Sequence, residues 1–146
     1  MYAIVRYAFT IAASICAAIL AGESAFGQML KGEAAYDPAK ARDSYVANCS
    51  ACHQAGGEGV PGVFPPLKGS GVVNKDDAAK HIRIVLDGMQ GARAGGVTYT
   101  SVMPPFAGTL DDTAIADIIN YERSSWGNHG KTVTAAQVAQ ERAPPK

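Results

Sequence analysis

Hydrophobic and polar positions alternate along this chain with the period of helices, punctuated by glycine and proline. Asp37 reads as an N-cap with Pro38 at the first helical position, opening a helix through Ala39–Asn48. A stretch from Gly56 to Leu67 follows in which Gly and Pro dominate, so it reads as a loop. Asn74 to Asp87 reads as a second helix, with Ala78, Ala79, Ile82, Val85 and Leu86 on one side and Gly88 as the stop. Gly91–Thr100 is another loop. Asp111 caps a third helix, Asp112 to Ser125, whose inner face carries Ile115, Ile118, Ile119 and Tyr121. A short fourth helix follows Thr134. Strand signals are few, and the expected class is all-α with three to four helices.

The N-terminus breaks this pattern. Arg6 precedes an apolar run from Tyr7 to Ala21 in which only Thr10, Ser14 and Cys16 are weakly polar, and Ala25-Phe26-Gly27 supplies small residues at the cleavage positions. This is the order of an export signal, expected to be cut before Gln28. The run is short of the roughly 20 apolar residues that a membrane span needs. An uncleaved helix holding the chain to the membrane is the alternative, and no stable insertion is expected after cleavage. The expected organisation is therefore a signal over 1–27, a flexible segment over 28–36, one domain over 37–143 and a tail over 144–146.

Composition narrows the function classes. The 146 residues carry 13 basic and 13 acidic side chains, a formal net charge of zero. With no basic block, nucleic-acid binding has no footing. Asp76-Asp77 and Asp111-Asp112 sit at helix starts, where acids favour the dipole, so they read as caps rather than catalytic pairs. No activated nucleophile or acid–base dyad is evident, and no bond-making step is inferred.

One pentapeptide carries the chemistry. Cys49-Ser50-Ala51-Cys52-His53 has the C-x-x-C-H spacing of a c-type haem attachment site. Cys49 and Cys52 fall on one face of a helical turn, within reach of the two vinyl groups of one porphyrin, and His53 can supply the proximal ligand to iron. A zinc site would need a second ligand pair, and His81 and His129 stand alone. The three cysteines of the chain include Cys16, inside the signal, so the mature chain keeps only the haem pair. Met103-Pro104-Pro105-Phe106 offers a thioether from the opposite side, and the prolines would stiffen its loop. Met89, His81 and His129 are the rivals for that position, alongside an open iron. His81, between Lys80 and Arg83, and His129, in a turn, read as surface residues.

Together these features resemble the class I cytochrome c family: an N-terminal helix ending in Cys49–His53, the Pro65-Pro66-Leu67 loop, Met103-Pro104, and a C-terminal helix over Asp112–Ser125. The segments Gly59–Ser70 and Tyr121–Asn128 resemble the branch containing the cytochrome subunits of bacterial alcohol and gluconate dehydrogenases. The resemblance implies the cytochrome c fold around one covalently bound haem c, with Tyr45 and Ala41 meeting Ile118 and Tyr121 at a helix crossing. It implies that the Pro65 carbonyl accepts the second ring N–H of His53 and that Leu67 packs on the ring. Its functional implication is a periplasmic electron carrier, not an enzyme, working between a dehydrogenase donor and an oxidase or reductase acceptor, free or as a dehydrogenase subunit. The alternative is a peroxidase-like enzyme or gas sensor with an open iron position. The expected docking rim is Val60, Pro61, Val63 and Phe64 with the Met103–Phe106 loop.

Overall fold

The computed structural model describes residues 36–143; the expected signal over 1–27, nearly all of the segment over 28–36, and the tail over 144–146 lie outside the described residues. The described residues form five helical segments: α1 Pro38–Asn48, α2 Ser50–His53, α3 Ala79–Asp87, α4 Asp112–Ser124 and α5 Ala135–Arg142. The one beyond the expected four is α2, the single turn that carries the cysteine motif. The Asp37 side chain accepts from the Ala39 and Lys40 amides, and Asp111 accepts from Ala114. Thr134 and Gln137 close a reciprocal capping box on α5.

The apolar stripes of α3, α4 and α5 meet in one core that includes Ile82, Val85, Leu86, Ile115, Ile119, Val133 and Val138. On the other side of α4, α1 packs with Ala41 and Tyr45 fully buried. Tyr45, Tyr121 and Trp126 stack there with ring centroids 5.2 to 5.5 Å apart, a tilted arrangement that suits aromatic quadrupoles.

Two expectations need correction. The second helix begins at Ala79, not Asn74, because side chains take the backbone groups that a helix would have used. Arg123 Nη2 donates to the Lys75 carbonyl at 2.6 Å, and the Asp77 carboxylate accepts from the Ala79 amide at 3.0 Å. The Gly91–Thr100 loop contains a small antiparallel hairpin, β1 Arg93–Ala94 and β2 Val97–Thr98, turned by Gly95 and Gly96. Paired glycines supply the positive φ that such a tight turn demands.

Candidate haem site

The cysteine motif sits where one helix ends and the chain changes direction. The Cys49 amide still donates to the Tyr45 carbonyl at 2.8 Å, and the His53 amide donates to the Cys49 carbonyl at 3.0 Å. Gln54 then takes φ +64, and its carbonyl accepts from the Tyr45 hydroxyl at 2.7 Å. That bond ties the end of the motif back to α1.

The Gly/Pro loop folds back under His53. Val60 and Phe64 form an isolated antiparallel bridge, the Gly59 amide donates to the His53 carbonyl at 2.9 Å, and the Gly57 carbonyl accepts from Leu67 and Lys68. Gly59 has φ +65, and a Cβ there would lie 2.4 Å from the Phe64 carbonyl oxygen. Only glycine admits that approach. The result is that the Pro65 carbonyl lies 2.9 Å from His53 Nδ1. A carbonyl can only accept, so Nδ1 carries the proton and Nε2 is left with its lone pair free.

The opposite strand of chain is pinned just as closely. Met89 and Met103 exchange two backbone hydrogen bonds, of 3.1 and 2.8 Å, and the Phe106 and Ala107 amides donate to Val85 and Leu86. A Cβ on Gly88 would lie 2.5 Å from the Met103 carbonyl oxygen, so the absence of a side chain lets the methionine loop lie against the end of α3.

Between these segments lies a cavity of about 370 Å³, large enough for a cofactor. Cys49, Cys52, His53, Pro65, Leu67 and Met103 all line it. Both cysteines are free thiols, half-buried, and burial pushes the Cys49 thiol up, with the Glu122 charge adding to the shift. Two adjacent thiols, one oriented imidazole and a thioether around a largely apolar hollow fit a haem and no bare metal ion. Among the described residues no group of three or more His, Cys, Asp or Glu is placed to hold a metal ion.

Comparison with known proteins identifies the family: the profile described as Cytochrome c matches residues 38–126. The chain belongs to the cytochrome c family. It has the all-α cytochrome c fold, and its cofactor is a covalently bound haem c with its iron. It is 32% identical to the cytochrome c subunit of a quinone alcohol dehydrogenase from Gluconacetobacter polyoxogenes, over 77% of this chain and 27% of that subunit. It is 37% identical to the cytochrome c subunit of gluconate 2-dehydrogenase from Pantoea cypripedii, over 67% of this chain and 23% of that subunit. Cytochrome c-552 of Thermus thermophilus is 37% identical over 66% of this chain and 80% of its own length. The chain thus spans about a quarter of the dehydrogenase subunits and most of the small cytochrome.

Three residues of this cytochrome escaped the sequence reading. His81 is not on the surface: it is 4% exposed, lines the cavity and meets Glu122 at 2.8 Å. Its sequence neighbours Lys80 and Arg83 are charged, but helical spacing sets it beside Ala78 and Val85 on the apolar stripe. Asn128 is buried and bridges four groups: it donates to the Leu67 and Glu122 carbonyls and accepts from the Gly69 amide and the Asn74 side chain. Arg123 is 1% exposed and donates to the carbonyls of Lys75 and Lys131. Its guanidinium pKa is lowered by burial. His129 is exposed, as expected, and its amide donates to Asn74 Oδ1.

Proposed function

We propose that this protein is an exported monohaem cytochrome that passes single electrons from a dehydrogenase to an oxidase or reductase in the periplasm. It would work as a free carrier or as a dehydrogenase-associated subunit. The observation that carries the reading is the convergence of Cys49, Cys52, His53 and Met103 on one cavity. Its export rests on Arg6, the apolar run Tyr7–Ala21 and Ala25-Phe26-Gly27. Among the described residues no helix is long and apolar enough to cross a membrane.

Cys49 and Cys52 would hold the porphyrin through thioethers, and His53 and Met103 would supply the protein ligands to its iron. Bound there, the haem supplies a one-electron centre. His53 contributes an imidazole oriented by the Pro65 carbonyl, a contact that raises its basicity toward a metal. Met103 would contribute a soft sulfur that favours the reduced metal. Pro104 and Pro105 follow it, and the Met89 backbone holds it from the other side. Leu67, Phe64, Val85 and Phe106 give the hollow an apolar lining. Val63 and Val102 are exposed at the loops that border it, giving a partner a small apolar contact with modest salt dependence.

The test is spectroscopic. The purified protein should retain its pigment through acid–acetone extraction and show a ferric sulfur–iron charge-transfer band. Met103→Ala should abolish that band, lower the potential and open the ferrous iron to CO, while Met89→Ala should leave all three unchanged. A band that survives Met103→Ala would refute the ligand assignment. A high-spin wild-type protein that binds CO rapidly would turn the reading toward an open-site haem enzyme or sensor. Recovery from the periplasmic fraction with an N-terminus at Gln28 tests export, and co-purification with a dehydrogenase in detergent-free extract separates subunit from free carrier.

A further inference from the structure

The wall of the haem cavity is largely apolar, yet two of its side chains are ionisable, buried and bound to each other. His81 on α3 and Glu122 on α4 both line the cavity, are 4% and 3% exposed, and meet at 2.8 Å through Nε2 and Oε2. Holding a haem requires neither. Two well-packed apolar side chains would serve the core at least as well, because withdrawing such a pair from water costs about what its attraction returns. His81 Nδ1 has no hydrogen-bond partner among the described residues.

We propose that the His81–Glu122 pair is a proton-binding site coupled to the cofactor, so that electron transfer by this protein carries a proton with it. The inference rests on the haem reading above. With its proton the pair is neutral overall; without it, one negative charge is left in a wall shielded from water. An electron arriving in the cavity adds negative charge nearby and tightens the pair's hold on the proton, and its departure loosens it. The step balances as one electron from a reduced partner protein and one proton from solvent, both given up again on oxidation. By reciprocity the bound proton raises the reduction potential by the amount that reduction raises proton affinity.

The surrounding charges leave this role to the pair. On α3, Arg83 and Asp87 bind each other at 3.1 Å on the outer side, and Lys80 is exposed. On α4, Arg123 is committed to two carbonyls. From α5, Glu141 offers Arg83 only its backbone carbonyl. From α1, Tyr45 feels the Glu122 charge, but burial above all keeps its hydroxyl protonated. The thiols of Cys49 and Cys52 would be consumed as thioethers, His53 donates Nδ1 to Pro65, and Arg93 on β1 is exposed. Imidazole is the group whose ordinary range spans physiological pH.

Spectroelectrochemical titration of the loaded protein from about pH 5 to about pH 8 tests this. The wild-type potential should fall with rising pH, by up to about 59 mV per pH unit, the one-electron equivalent of a tenfold change. His81→Leu should lose that slope, and Glu122→Gln should move it to lower pH. Should His81→Leu misfold because it strands Glu122, the double variant His81→Leu/Glu122→Leu carries the same readout with an apolar pair. Proton uptake on reduction in a weakly buffered dye solution should disappear in the same variants. A variant lacking His81 that keeps the wild-type slope and uptake overturns the coupling while leaving the haem reading intact; a protein without covalent pigment overturns both.

Discussion

Gly59→Ala is the substitution that separates backbone freedom from close approach. Alanine at φ +65 pays the left-handed penalty of about 1–2 kcal/mol. Its Cβ would also stand 2.4 Å from the Phe64 carbonyl oxygen and 2.7 Å from that of Pro65, where contacts under 3.0 Å are not tolerated. Those carbonyls must therefore retreat by several tenths of an ångström, stretching the 2.9 Å contact from Pro65 to His53 and the 2.9 Å bond from the Val60 amide to Phe64. Losing most of one such bond adds about 1 kcal/mol, so the total is about 2–3 kcal/mol, or a fall in Tm of roughly 10 °C or more. Gly62→Ala is the matched control, with φ +72 and nothing within 4 Å of the added Cβ. It should cost only the conformational penalty. Thermal unfolding of both variants, with the midpoint potential read alongside, gives the answer. Weakening the Pro65 bond makes His53 a poorer donor, so the Gly59→Ala potential should rise while that of Gly62→Ala stays put. Equal Tm and equal potential in the two variants would refute the reasoning.

Asn128→Ala should destabilise the protein by about 2–4 kcal/mol, because four polar groups lose their shared partner at about 1 kcal/mol each and water recovers some of it. Guanidinium chloride unfolding with an unchanged slope checks this, and a loss under about 0.5 kcal/mol would contradict it. Burial, reinforced by the charges of Asp37 and Asp111 against that of Lys40, raises the Asp117 carboxyl above the usual range. A raised folded value means that Asp117 favours folding at low pH, and that this contribution is lost as pH rises through the raised value. Asp117→Asn should therefore be more stable than wild type at neutral pH, with the difference vanishing in acid. A difference that grows in acid would reverse the sign.

Much of this was open to reading from residues alone, and what was not has a common cause. Asp37-Pro38, Asp111 and Thr134 act on backbone a few positions away, and that local chemistry is written in order along the chain. The cysteine motif is equally local. Asn128 bonds to Gly69 and Leu67 across 59 and 61 positions, and no spacing rule announces such a bridge. Arg123 reaches Lys75 across 48. The contact between Pro65 and His53 was reachable only through likeness to a family, since a glycine-rich loop can fold back in many ways. His81 was within reach: counting from Ala78 to Val85 along the helix, rather than to Lys80 and Arg83 along the chain, sets it among buried residues. Its partner Glu122 comes from another helix, and only the packing of α3 on α4 reveals that the two side chains meet.

The frame of α1, α4 and α5 packs mainly through side chains that lie away from the cavity, Asn48 and Glu122 excepted, whereas the segments over 54–78 and 88–111 are largely turns and loops draped around it. Cohesion in this molecule is thus graded: the helical scaffold keeps its own interior, and the loops owe theirs to whatever fills the hollow. Local opening is therefore expected to start in these loops, with the helical scaffold the last part to yield.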